Sequence, residues 1–286
     1  MTSKGMSVPD HEIAGRALRD VGYYRLAGYG LAFEQYQNNQ RVGCFKPGTH
    51  FEQLVNAYSV DRKLRILILE GVERIEVAVR SIISHKLSIQ YDSAHWYMQP
   101  SLFKESDGFN HSRLLQEIAR NTGKKTRPGS DKDQLREIFI RHYYERYDEP
   151  ELPPSWMVAE ILPIGSWSKI YQHLAVSRDR KLISTELDLA PPTLESWLHC
   201  LAFIRNACAH HGRLFARILP LPPKQDKKLP FVRHNYIFNF ICVIGYFLHQ
   251  IDSESTWVAE VAAVMDELEC DRKHFGVPEN GWLNLL

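Results

Sequence analysis

Apolar residues recur at helical spacing along most of the chain, and that repeat predicts its elements. Between Asp10 and Val21 they fall at Ile13, Ala14, Ala17, Leu18 and Val21, a helix that Gly22 ends. Thr49-His50-Phe51-Glu52 has the form of a capping box. From there to about Gln90 apolar groups return at Leu54, Val55, Tyr58, Leu64, Leu67, Ile68, Val72, Ile75, Val79, Ile82 and Ile83. One long helix accounts for them, with Gly71 the only place for a break. Further helices are predicted over Phe109–Asn121, Gln134–Tyr147 and Trp156–Leu162, and in a segment running to Leu174 that Ser166 or Ser168 could cap. Pro191-Pro192 opens a helix carrying Leu194, Trp197, Leu198, Leu201 and Ile204, and Gly212 reads as its C-terminal stop. Tyr236–Ile251 and Thr256–Glu269 are the last two helices, and Phe275–Trp282 reads as an ordered C-terminal lock. Gln37–Gly48 reads as a polar connector, and Arg178, Arg180 and Lys181 fall in a polar stretch. No segment sustains period-two alternation with β-branched residues, so the fold class is all-α.

Composition narrows this only a little. The 286 residues, 44% hydrophobic and 24% charged, are enough for ordinary cores. We expect a single domain over 1–286, with a Tyr/Gly-rich segment 1–48 packed on a helical core 49–286. A net charge of +1 leaves a polyanionic partner to be recognised by a local patch. Five widely spaced cysteines without a CxxC pair read as free thiols in a reducing compartment. No apolar run is long enough to span a membrane and no secretory segment opens the sequence, so a soluble cytoplasmic protein is expected.

Three stretches admit both a structural and a functional reading. Tyr23–Phe33, dense in tyrosine and glycine, is either an aromatic wedge between helices or a stacking surface for bases or a partner. Glu70–Arg74 and Glu76–Arg80 are acid-before-base pairs four apart, which read either as solvated surface pairs or, for Glu76 and Arg80, as an inward element supporting a site. The breaker-rich loop with Lys124, Lys125 and Arg127 is either a solvated loop or a contact for RNA phosphates.

The chemistry concentrates in Ile204–Leu214, which sets Arg205, Asn206, His210, His211 and Arg213 at the end of a core-facing helix. No Cys or carboxylate stands at zinc spacing from these histidines, and neighbours on a helix point about 100° apart, so neither a metal nor a cofactor is expected. Cys208 reads as a small buried residue, and no glycine-rich phosphate loop is present. Arginine, histidine and asparagine without an acid suit metal-free cleavage of RNA: a histidine moves a proton and an arginine holds the phosphate. Asn206 and His210 share a helix face, whereas Arg205 and His210 are about 140° apart, a spacing that favours a site composed from two copies. The other reading is a helix end with structural hydrogen bonds and surface histidines. These residues alone leave the two open.

Arg205-Asn206-Ala207-Cys208-Ala209-His210 resembles the R-x4-6-H motif of the HEPN superfamily. More narrowly, the chain is similar to the Abi-like family of abortive-infection, phage-defence proteins. The likeness is carried by Gly22–Tyr29, Glu73–Arg80, Pro154–Met157 with Pro163–Ser168, and Arg205–Phe215. The family often has a further helical stretch before the segment matching Met6, where five residues stand here. The resemblance implies a HEPN-type helical bundle with additional helices, dimerised so that two motifs form one endoribonuclease site. It implies a host-toxic antiphage role and control by a bound non-coding RNA. By position, Arg205 would hold phosphate, His210 would be the acid/base and Asn206 would orient one of them. His211 and Arg213 match family positions without a defined role. A binding module that retains the fold without turnover is the alternative.

Overall fold

A computed structural model describes residues 2–38, 40–124 and 130–278. Among them the chain is helical apart from one short hairpin, as the apolar repeat predicted. It divides into two compact units, one formed by residues 1–72 with 203–286 and the other by 73–202.

In the first unit, α1 (His11–Asp20) opens on Asp10, whose carboxylate accepts the amides of Glu12 and Ile13 at 2.8 and 2.9 Å. α2 (Tyr23–Gly30) follows at once, burying Leu26 and Tyr29 while Tyr24 stays 93% exposed. The Tyr/Gly-rich stretch is thus half core and half surface. Gln37–Gly48 is not merely a connector: β1 (Glu34–Gln37) pairs antiparallel with β2 (Gln40–Phe45), Glu34 opposite Phe45.

α3 (Phe51–Gln90) is one continuous helix of 40 residues that runs from the first unit into the second. The expected capping box does not form. Thr49 instead donates to the Lys46 carbonyl at 2.8 Å, and the His50 amide donates to the Gln53 side chain at 3.0 Å. Nor does Gly71 break the helix. It is small because a Cβ there would lie 2.8 Å from Ile244 and 2.9 Å from the Trp257 ring, in α11 (Ile237–Ile251) and α12 (Trp257–Asp266). The Trp257 indole N–H donates to the Leu67 carbonyl at 2.8 Å. α11 buries nearly its whole surface, and Phe275 closes the core beside Phe215. Residues 279–282 of the expected C-terminal lock lie outside the described residues.

The second unit contains the rest of α3 with α4 (His111–Asn121), α5 (Asp131–Gln134), α6 (Ile138–Arg146), α7 (Ser155–Ile161), α8 (Ile164–His173), α9 (Ser177–Thr185) and most of α10 (Pro191–Ala209). Two local readings are corrected here. Ser166 and Ser168 do not cap α8; both are buried within it, and Ser166 donates to Glu117 at 2.6 Å. The first amide, of Ile164, goes to the Glu76 carboxylate at 2.9 Å, a partner from another helix that local sequence cannot reveal. The polar stretch with Arg178, Arg180 and Lys181 is α9, polar because only one narrow face, including Ile183, is buried. No helix among the described residues is long and apolar enough to cross a membrane.

Candidate functional site

The site is built on the last turn of α10, all of it within the first unit. Ile204 and Cys208 face the core, and Arg205, Asn206 and His210 are exposed. The Arg205 guanidinium donates to the Asn206 side chain at 3.4 Å, and no carboxylate pairs with it among the described residues. The His210 amide still closes a helical bond to Asn206 at 3.0 Å, so Asn206 and His210 share the terminal turn. Positive groups are also ordinarily favoured at a helix C-terminus, so the position alone does not assign chemistry.

Termination is by a Schellman motif, and it separates the two histidines. The His211 amide donates to the Cys208 carbonyl at 3.0 Å and the Gly212 amide to the Ala207 carbonyl at 2.7 Å. His211 takes the left-handed backbone, at φ 58°, where Gly212 was the expected stop. Gly212 is needed for closeness instead: a Cβ there would lie 2.8 Å from the Ala207 oxygen. His210 is therefore the cap residue, still bonded to the last helical turn, and His211 is the left-handed residue that follows it.

That turn is held by groups the sequence reading missed. Asp61 of α3, fully buried, accepts the amides of Leu214 and Phe215 at 3.0 and 2.8 Å and the Tyr29 hydroxyl at 2.6 Å. It is also ion-paired with buried Arg65 one turn on. Burial pushes the Asp61 carboxyl above the usual range, against the Arg65 charge and the hydrogen bonds that favour its ionised form. The signal was available. Asp61 interrupts the core register Leu54, Ala57, Leu64, Ile68 with a carboxylate, and a carboxylate in an apolar stripe must be partnered.

Arg25 of α2 donates to the His211 carbonyl at 2.8 Å. Arg213, half-buried, donates to the Phe215 carbonyl at 2.5 Å, and desolvation lowers its pKa. It braces the turn against Gly28, where a Cβ would lie 3.5 Å from its Nε. Burial pushes the Cys208 thiol up to about 12, which leaves it protonated at neutral pH and unsuited to nucleophilic attack. Beside the turn opens a cleft of about 420 Å³ lined by Arg25, Tyr58, Arg62, Arg65, Cys208 and His211 among others.

Other predicted residues lie elsewhere. Glu76 and Arg80 are in the second unit, where Arg80 pairs with Glu160 at 2.9 Å and Glu76 caps α8. They serve that unit's helices. Lys124 pairs with Glu151, and Lys125 and Arg127 lie outside the described residues. Among the described residues no three His, Cys, Asp or Glu side chains cluster as a metal site requires.

Comparison with known proteins comes down to one finding. The model of a family described as Abi-like protein matches residues 16–216, a span that runs from the second half of α1 through α10 and includes the terminal turn and Asp61. No curated protein and no solved structure gave a match.

Proposed function

The chain belongs to the Abi-like family, and from that membership we propose that it is a metal-independent HEPN-type endoribonuclease acting as an antiphage abortive-infection toxin. The observation that carries the reading is the composition of α10's last turn. Arg205, Asn206 and His210 stand exposed together with no carboxylate paired to them among the described residues, on a turn fixed from behind by Asp61. Cleavage of RNA by the strand's own 2′-hydroxyl calls on these residue types. One histidine takes the 2′-hydroxyl proton as that oxygen attacks phosphorus, and a second returns a proton to the departing 5′-oxygen. The products are a 2′,3′-cyclic phosphate and a free 5′-hydroxyl. An arginine balances the charge that gathers on the phosphoryl oxygens.

One turn supplies one such histidine, and Arg205 leaves the helix about 140° away from it. Two copies related by a two-fold axis would supply a histidine as base, a histidine as acid and two arginines. We therefore propose a homodimer whose facing α10 turns make one composite site. A bound non-coding RNA that covers this surface would restrain the toxin.

RNA degradation by the full chain with EDTA present tests the chemistry. Wild type is expected to cleave and His210→Ala to lose cleavage by at least about a hundredfold. Equal cleavage by the two proteins would remove His210 from the mechanism, and no cleavage by either would favour a binding module. Mixing wild-type with His210→Ala chains tests composition, since a site that takes one histidine from each copy is lost in every mixed dimer. Activity is then expected to fall faster than the wild-type fraction, and a fall only in proportion to that fraction would refute the shared site.

A further inference from the structure

The cleft beside the α10 turn has features that holding the turn in place does not require. Its wall carries three guanidinium groups, of which Arg65 is already neutralised by Asp61. Arg62, exposed on α3, has no acidic partner among the described residues, and Arg25 has only the His211 carbonyl. Asp20 on the rim is tied to its neighbour Arg19 at 2.9 Å. Two positive charges thus line the same opening without an ion pair among the described residues. The face of α3 that presents Arg62 also lines the cleft with the apolar groups Tyr58, Ile66 and Leu69. Ile66 is 52% exposed, unusual for a large aliphatic group in a cleft, and the Tyr58 ring is fixed edge-on by Tyr29 at 5.6 Å.

We infer that this cleft binds one nucleotide unit of a single-stranded RNA, its phosphodiester on Arg25 and Arg62 and its base against Tyr58 and Ile66. The inference rests on RNA being the substrate of the adjoining turn and names where the strand is held beside it. Charge alone would suit any anion. Charge beside a rigid aromatic and aliphatic wall suits a phosphate with a base attached, since stacking adds contact that is tolerant of sequence. The cleft volume is within the range of sites that enclose a ligand of that size. An acidic peptide would use the guanidinium groups and leave the apolar wall idle. Arg25 gives the site its bearing on the reaction. Its guanidinium touches the peptide carbonyl of His211, so a phosphate seated on it lies one residue from His210 along the chain.

Binding is measured on the full chain carrying His210→Ala, so that the strand is not consumed, by fluorescence anisotropy of a short labelled single-stranded RNA. Adding Arg62→Ala or Arg25→Ala is expected to weaken binding roughly tenfold or more, the scale of one charge-assisted contact. Each is also expected to reduce the slope of log affinity against log salt by about 0.7, the value for one phosphate on a single strand. Arg62→Lys keeps the charge and is expected to keep the slope, while affinity falls less. Unchanged affinity and slope in the Arg25→Ala/Arg62→Ala protein overturn the assignment. So does a polyglutamate peptide that competes as well as RNA of equal charge, and so does adenosine monophosphate competing as well as the oligonucleotide, which would mark a free-nucleotide site. The two readings fail separately. Arginine-dependent binding by a chain whose wild type never cleaves RNA upholds the cleft and refutes the nuclease, whereas cleavage with arginine-independent binding does the reverse.

Discussion

Asp61 is the residue whose removal most directly tests how the turn is held. It is fully buried, as nearly is the side chain of its partner Arg65, and it accepts two backbone amides and a tyrosine hydroxyl. Asp61→Asn keeps an oxygen for the amides of Leu214 and Phe215 but turns an NH2 group toward the Arg65 guanidinium. Removing one partner of a buried pair leaves an uncompensated charge, at about 3–5 kcal/mol. Because the amide acceptor survives, we expect the lower end, about 3 kcal/mol. Adding Arg65→Met removes the stranded cation and is expected to recover about 1–2 kcal/mol of that loss. Urea unfolding reads the overall change. Native-state hydrogen exchange at Leu214 and Phe215 reads it locally, as an acceleration of about a hundredfold in Asp61→Asn. A loss below about 1 kcal/mol for the single change, or no recovery in the double, would refute the claim that this pair fixes the turn.

Three further outcomes follow from the same geometry. Gly71→Ala sets a methyl against Ile244 and the Trp257 ring, and is expected to lower stability by about 1–3 kcal/mol, read as a shift in urea midpoint, without altering RNA binding. His211→Gly relieves a left-handed backbone and is expected to raise stability by up to about 1 kcal/mol; cleavage that falls while stability rises would give the His211 ring a chemical role. His274, packed on Phe33 and Phe215, has its pKa lowered by burial first and then by Lys46. The neutral ring is the one the fold favours, so this contribution is present above the unfolded value of about 6.5 and is lost as pH falls through the lower folded value. The stability difference between wild type and His274→Gln is expected to shrink from pH 7.5 to pH 5.5, and thermal melts at both values check it.

Most of the helices were legible because burial on a cylinder repeats every three or four residues, and α3 and α10 keep that repeat over many turns. What escaped depended on partners distant in sequence. Glu34–Phe45 pairs as a hairpin although its strands are short and mostly exposed, so neither shows a clean alternation. Ile164 finds its acceptor in Glu76, 88 residues away, and no serine inside α8 could have indicated it. Asp61 and Arg65 have the spacing of an ordinary surface pair, and only their register against Leu64 and Ile68 distinguishes them. At the site, the cluster Arg205–His210 was visible as chemistry. The division of labour between His210 and His211 was not, since it depends on which residue turns left-handed, and glycine was the better local candidate.

The hydrogen bonds from Leu214 and Phe215 to Asp61 span 153 and 154 positions of the chain. During synthesis α3 emerges early, yet its carboxylate has no amides to accept until residue 215 has left the ribosome. By then the whole of 73–202 has been made. At about 5–20 residues per second this interval lasts roughly 8–30 seconds. Were the turn to cleave RNA as proposed, the order of synthesis would itself be a safeguard. A truncated or stalled product that ends just before Leu214 has α1 to α10 but lacks the amides that Asp61 would hold. The latch on the turn closes only once residue 215 has been made.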